Sequence, residues 1–132
     1  MSNKKLGNQF EAEFCETLAN HGFWVHQLTQ NSAGQPADVL AVKEGTAYLI
    51  DCKVCSQGKF AFDRVEDNQA LAMQLWEECG NGAGLFALKF DSGIYMVTLD
   101  SISNCSHHHP AMTAALADTF GESLEEWLWA RE

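Results

Sequence analysis

The stretch "YLIDCKVCS", residues 48–56, sets an apolar run directly against an aspartate and a lysine. A short apolar run that follows a turn predicts a buried β-strand, here residues 46–54. Residues two apart on a strand point to the same face, roughly 6–7 Å from each other. Asp51 and Lys53 therefore share one side of the strand's end, which indicates either an ion pair or a site at the rim of the core.

The bulk composition predicts one folded domain that covers residues 1–132. Of these 132 residues, 46% are hydrophobic, which is enough for a core without disulfides or metal staples. No stretch has the length of a membrane-spanning helix, and the N-terminus has no apolar signal region, so we expect a cytoplasmic protein with no membrane partner. The five cysteines are expected to be reduced thiols.

Hydrophobic periodicity predicts an α/β fold, a mixed β-sheet flanked by helices in the order α-β-β-β-α-β-β-α. Phe10, Phe14 and Leu18 recur at four-residue spacing and predict the first helix, which ends before Gly22. The predicted elements are helices at 8–21, 65–79, 111–119 and 124–131, strands at 22–28, 38–42 and 46–54, and a hairpin at 85–90 and 94–99.

Two helices carry apolar residues at helical spacing. In helix 65–79 the spacing predicts an apolar face made of Leu71, Ala72, Leu75, Trp76 and Cys79. In the last helix, Leu124, Trp127 and Leu128 form a stripe that packs either across two chains or on the chain's own sheet.

Three carboxylates interrupt apolar patterns: Glu11 on the core side of the first helix, Asp38 at the start of a strand, and Asp51. Hard cations such as Mg²⁺ are held by one or two carboxylates together with water and phosphate oxygens. A lysine beside such a cluster can orient an attacking water and offset the charge that builds up on a phosphate. Together with Lys53, the three acids predict a site for phosphodiester hydrolysis.

These residues resemble the pattern of the PD-(D/E)XK nucleases. The chain has "PAD" at 36–38 and "IDCK" at 50–53, with twelve residues between Asp38 and Asp51, although Ala37 separates the Pro and Asp that this pattern usually joins. "GNQFE" at 7–11 is similar to the first-helix signature of Holliday junction resolvases of the RecU and archaeal types, and residues 58–97 are similar to a RecU segment. The resemblance covers about residues 4–100 and leaves the tail 101–132 outside it.

The resemblance implies a restriction-endonuclease-like fold and a Mg²⁺- or Mn²⁺-dependent endonuclease of DNA recombination and repair. It implies that the enzyme cuts branched DNA such as Holliday junctions and works as a homodimer, since the resolvases it resembles cut two strands symmetrically. The implied catalytic residues are Glu11, Asp38, Asp51, Lys53 and Gln69. The implied metal ligands are Glu11, Asp38, Asp51 and the backbone carbonyl of Cys52.

The net charge of −10 argues at first against a nucleic-acid partner, but the charge is unevenly distributed. Residues 1–64 hold six Lys and Arg against seven acids, whereas residues 65–132 hold two against eleven. Phosphate contacts are therefore expected from the first half, with the acidic second half facing away from DNA. The predicted DNA-binding residues are Lys4, Lys5, Ser32, Lys59 and Arg64.

Two other functions fit parts of the sequence. The chain could keep the nuclease fold without cutting DNA and serve as an accessory or protein-interaction module. It could also be a zinc or redox protein that uses Cys52, Cys55 and the run His107–His109, although positions 52 and 55 face opposite ways on a regular strand.

Overall fold

The computed structural model describes residues 2–28 and 37–132. The helices are α1 (Asn3–Asn20), α2 (Asp67–Glu78), α3 (Leu99–Ser106), α4 (Ala114–Phe120) and α5 (Leu124–Trp129). The strands are β1 (Trp24–Gln27), β2 (Val39–Lys43), β3 (Thr46–Val54), β4 (Lys59–Phe60), β5 (Leu85–Phe90), β6 (Gly93–Thr98), β7 (Met112–Thr113) and β8 (Glu122–Ser123). Short 3₁₀ turns lie at Ser56–Gly58 and Phe62–Arg64. No helix in the two described ranges is long and apolar enough to cross a membrane.

The predicted mixed sheet with flanking helices is confirmed. Six strands form the central sheet in the order β1-β2-β3-β5-β6-β8. The pair β3–β5 is parallel and the other pairs are antiparallel. Strands β4 and β7 form a separate antiparallel pair. The apolar run 48–50 lies on β3, which has a neighbouring strand on each side, and this interior position explains why the run is nearly continuous.

Two hydrophobic clusters lie on opposite faces of the central sheet. Phe10, Phe14 and Leu18 of α1 are buried at the predicted four-residue spacing, in one cluster with the strands and α5. Leu124, Trp127 and Leu128 are buried in that same cluster. The stripe on the last helix therefore packs on the chain's own sheet, and its use across two chains was the wrong interpretation. Met73 of α2, Ile102 of α3 and Ala117 of α4 belong to the second cluster.

The predicted apolar face of α2 was wrong for its two leucines, whereas Trp76 does pack against the second cluster. Leu71 and Leu75 are 66% and 60% exposed, whereas Gln69 and Met73 are buried. Gln69, Met73 and Trp76 follow one another at four- and three-residue spacing, which puts them on one helical face. Because Gln69 is polar, the hydropathy pattern does not reveal this buried face. The exposed leucines Leu71 and Leu75, in contrast, give the pattern of an apolar face where none is buried.

The start of α1 and the whole of helix α3 also differ from the prediction. Helix α1 begins at Asn3 because the Ser2 side chain accepts a hydrogen bond from the backbone N–H of Lys5, at 3.2 Å, and caps the helix. Helix α3 was missed, since its sequence "LDSISNCS" is rich in residues of low helix propensity. The Thr98 side chain, which accepts from the Ser101 N–H at 3.1 Å, is the cap that could have revealed it.

Candidate active site

One cavity of about 510 Å³ opens between the start of α1, the end of β3 and the start of α2. Eight of the residues that the sequence singled out line it: Glu11, Asp38, Asp51, Cys52, Lys53, Lys59, Arg64 and Gln69. Lys4 and Lys5 are exposed on the first turn of α1, next to the lining residues Asn3 and Leu6 but not among them. Ser32 lies outside the described residues. The fold therefore brings together residues from five segments: α1, the residue just before β2, β3, the segment between β3 and α2, and α2.

Asp51 and Lys53 form the ion pair that their spacing on β3 suggests. Asp51 Oδ2 lies 3.1 Å from Lys53 Nζ, and the two side chains are 1% and 15% exposed. Oδ2 is buried, and the Lys53 ammonium is the positive group that faces it. The prediction of a rim position holds for Lys53, whereas Asp51 is fully buried.

Asp38 is held against the backbone of β3. Its Oδ2 accepts a hydrogen bond from the Cys52 N–H at 2.8 Å, and its own N–H donates to the Ile50 carbonyl at 3.1 Å. Its carbonyl accepts from the Leu28 N–H at 2.8 Å. These hydrogen bonds place the Asp38 carboxylate beside Asp51, between strands β2 and β3.

Burial and mutual repulsion make the acids costly to ionise together. The pKa of Asp51 is raised above its usual range, first by burial and then by the nearby charge of Asp38, and Lys53 offsets only part of this. The pKa of Glu11 is also raised, by partial burial and then by Asp38, while a hydrogen bond from Gln27 opposes the shift. A bound cation would relieve the repulsion that both shifts record.

Gln69 connects the start of α2 to the buried acid. Its Nε2 donates to Asp51 Oδ1 at 3.1 Å, and its Oε1 accepts from the Glu66 N–H at 3.3 Å. Glu66 and Gln69 form a capping box, in which each side chain accepts from the other residue's backbone. Glu66 lines the cavity as well and was missed, although its spacing from Gln69 is the signal that could have found it. It also shows that the acidic second half does not face wholly away from the site.

Two basic residues line the cavity beyond Lys53. Lys59 lies on β4 and is exposed. Arg64 is exposed too, yet its guanidinium is fixed, because Nη1 donates to the Val54 carbonyl at 2.8 Å and the group lies 5.3 Å above the Phe60 ring. Both residues offer positive charge at the mouth of a cavity whose floor is acidic.

The donor set suits a hard cation. Mg²⁺ needs only one or two carboxylates, with the remaining positions filled by water and substrate oxygens. Asp38, Asp51 and the neighbouring Glu11 line the cavity and provide such oxygens. Within the described ranges no three His, Cys, Asp or Glu side chains are placed so that they could hold a metal ion by themselves. The residues thus fit a metal that shares its ligands with substrate, and do not fit a closed structural site.

The zinc and redox interpretation gains nothing from the structure. Cys52 packs against the cluster under α1, whereas Cys55 is buried in the cluster on the opposite face. All five cysteines are free. His107, His108 and His109 are exposed after α3 and are not among the residues that line the cavity.

Comparison with known proteins gives a consistent result. The model of one protein family, described as archaeal Holliday junction resolvase (Hjc), matches residues 2–123. Among solved structures, Hjc of Archaeoglobus fulgidus, a Holliday junction resolvase from an archaeal hyperthermophile, superposes with a TM-score of 0.69. The two chains share 12% identity, and the match covers 94% of this chain and 99% of that one. Direct sequence comparison with curated proteins finds no significant match.

Proposed function

The chain belongs to the archaeal Holliday junction resolvase family, a family of structure-selective endonucleases of DNA recombination and repair, and on this premise we propose how its cavity cuts DNA. The observation that carries the proposal is the gathering of three acids, one lysine, one glutamine and two further cations around a single cavity. We propose that this cavity binds a divalent metal, Mg²⁺ or Mn²⁺, and the scissile phosphate of a four-way junction.

The proposed metal ligands are the carboxylates of Asp38 and Asp51, with Glu11 and the backbone carbonyl of Cys52 completing the set. When bound, a divalent ion supplies Lewis acidity and lowers the pKa of the attacking water. The N–H of Cys52 donates to Asp38 Oδ2, and Gln69 donates to Asp51 Oδ1, so each carboxylate is held by a hydrogen bond. Both carboxylates are therefore oriented before any ligand arrives, which reduces the reorganisation that the reaction requires.

Lys53 has the second chemical role. Its ammonium lies 3.1 Å from Asp51, at the end of β3 where the cavity opens. From there it can donate hydrogen bonds to the attacking water and to the phosphate oxygens on which negative charge develops. Lys53 would thus act as a charge stabiliser and hydrogen-bond donor.

Lys59 and Arg64 are proposed to bind the phosphates that flank the scissile bond, and Lys4 and Lys5 to continue this path along the start of α1. Ser32, which lies outside the described residues, remains a proposed DNA contact. Phosphate contacts give affinity that depends on salt and not on sequence. With four acids around the cavity, counting Glu66, we expect binding to be weak until a divalent ion neutralises part of the charge.

The proposed function is tested with four-way, flapped and linear DNA, each incubated with Mg²⁺, with Mn²⁺ or with EDTA. We expect nicks in the four-way junction that depend on the metal and that exceed those in linear duplex of the same sequence. A protein that binds the junction but nicks no DNA in either metal would instead be an accessory module with a nuclease fold.

We also propose that the working unit is a homodimer. Resolving a four-way junction into two duplexes takes two incisions, and the described part of one chain has one cavity with this set of residues. The stripe on α5 cannot serve as the interface because it is buried in its own chain. Leu71 and Leu75 lie four residues apart on α2, so they share one exposed face, and we propose that this face meets a second copy.

The dimer is tested by sedimentation at micromolar concentration, with and without junction DNA. We expect the wild-type protein to sediment as a dimer and the double variant Leu71→Glu/Leu75→Glu to sediment as a monomer that still folds. Trp129→Glu is the matched control, since Trp129 is 76% exposed on a different helix. A wild-type protein that is monomeric under all conditions, or a dimer disrupted only by Trp129→Glu, would contradict the proposed interface.

A further inference from the structure

The segment between β3 and α2 contains both Lys59 and Arg64, and the strand within it pairs with the C-terminal tail. In β4, Lys59 lies opposite Thr113 and Phe60 lies opposite Met112 of β7. These two strands form their own sheet, separate from the six central strands. Helix α3 of the tail also contacts both β7 and the turn that holds Arg64. The tail therefore braces the segment that supplies positive charge to the cavity.

Phe60 is the residue where the tail meets this basic segment. It is fully buried, as is Met112 opposite it, and its ring lies 6.5 Å from that of Phe86 in the core. Its other neighbour is the Arg64 guanidinium, 5.3 Å from the ring centroid. One ring thus touches the hydrophobic core on one side and a cavity-lining cation on the other.

We propose that Phe60, held in place by β7, is a positioning residue for Arg64, so that the C-terminal tail is part of the DNA-binding site. This inference rests on the proposed function of the cavity. Of the five N–H groups of a guanidinium, one is used by the Val54 carbonyl, and the others remain for a phosphate. Because the ring and the carbonyl fix the side chain in advance, little conformational entropy is lost when a phosphate binds.

The first test compares two leucine variants of buried phenylalanines that each lie under a cation. Phe60→Leu removes the ring below Arg64. Phe23→Leu removes the ring whose centroid lies 5.2 Å from the Lys43 ammonium, and Lys43 does not line the cavity. Junction affinity is measured in Ca²⁺, well below the melting temperature of each variant. We expect Phe60→Leu to weaken binding roughly three- to tenfold, the effect of one newly mobile side chain, and Phe23→Leu to leave binding unchanged.

The decisive test is a double-mutant cycle with Arg64→Ala. If Phe60 acts through Arg64, Phe60→Leu should lose its effect on affinity once Arg64 is alanine, and in cleavage assays it should raise KM while kcat stays within about twofold. Met112→Ala, made from the β7 side, should behave in the same way and serves if Phe60→Leu does not fold. Equal effects of these variants with and without Arg64 would overturn the inference.

A control variant separates this inference from the proposed function. Arg131 is anchored much as Arg64 is, with Nη1 donating to the Trp127 carbonyl at 2.9 Å and its guanidinium 4.1 Å above the Trp127 ring, but it does not line the cavity. Arg64→Ala should weaken junction binding and Arg131→Ala should not. If neither has an effect, the proposed DNA-binding face is wrong; if only Arg64→Ala acts and Phe60→Leu does not, the positioning role alone is wrong.

Discussion

Replacing Lys53 by alanine is expected to slow junction cleavage by about a hundredfold or more, the usual cost of removing one group that stabilises charge in a transition state. The ammonium is 3.1 Å from Asp51 and lines the cavity at the end of β3, beside the proposed metal ligands. The measurement is single-turnover cleavage of a labelled four-way junction in Mg²⁺, with protein in excess over DNA.

Lys43→Ala is the matched control for this variant. Lys43 is also a fixed lysine, since its Nζ donates to the His21 carbonyl at 2.8 Å, but it is not one of the cavity residues. We expect near wild-type cleavage from Lys43→Ala and unchanged junction affinity from both variants in Ca²⁺. Cleavage by Lys53→Ala within a few fold of wild type would show that the lysine is only the structural partner of Asp51.

The part of the fold around the motif could be predicted well from the sequence. Strand β3 spans Thr46–Val54, the predicted residues, because its apolar run is bounded by a turn and by charge. Glu11, Asp38 and Asp51 stood out because a carboxylate in an apolar pattern costs free energy unless something offsets it. That same physical cost appears in the structure as the raised pKa of Glu11 and of Asp51.

The prediction failed where polar residues are buried or apolar residues are exposed. Hydropathy cannot reveal that Gln69 faces inward, since the hydrogen bond that compensates its burial is one that Gln69 donates to Asp51, 18 positions earlier. Nor could it place the tail, because the pairing of β7 with β4 joins Met112 to Phe60, two residues that are 52 positions apart in the sequence. Contacts at such separation leave no periodic signal in either segment. The position of Glu66 in the cavity and the support of Arg64 by β4 and β7 both depend on such long-range contacts.

Asp51→Asn is expected to act in opposite directions on activity and on stability. Asparagine keeps the shape of the side chain and the oxygen that Gln69 binds but removes the charge, so cleavage should fall by about a hundredfold or more. Burial and the charge of Asp38 outweigh the attraction of Lys53 and raise the pKa of Asp51 to about 8. On balance the folded protein therefore disfavours the ionised carboxylate, and a neutral isostere removes that unfavourable interaction.

The pH dependence of stability follows from the direction of this shift. A carboxyl group whose pKa is raised by folding contributes stability that is complete below the unfolded pKa and is lost as the pH rises through the folded pKa. In EDTA, the free energy of unfolding of the wild type should thus fall between about pH 4 and pH 8, while Asp51→Asn should be more stable than the wild type by on the order of 1 kcal/mol or more at about pH 8. Urea unfolding across this range gives the comparison directly.

Divalent metal should make the wild type more stable than Asp51→Asn, the reverse of the order expected in EDTA. An ion that binds the folded state alone raises its stability by mass action, and it needs the charge that asparagine lacks. Adding Mn²⁺ at about pH 8 should therefore raise the melting temperature of the wild type and have little effect on Asp51→Asn. Asp100→Asn is the control for the lost charge alone, since Asp100 is exposed on α3 and does not line this cavity. Equal stabilisation of the wild type and Asp51→Asn by the metal would rule out Asp51 as a ligand. If Asp51→Asn were less stable than the wild type in EDTA at every pH, the attraction between Asp51 and Lys53 would outweigh the cost of burying the Asp51 charge.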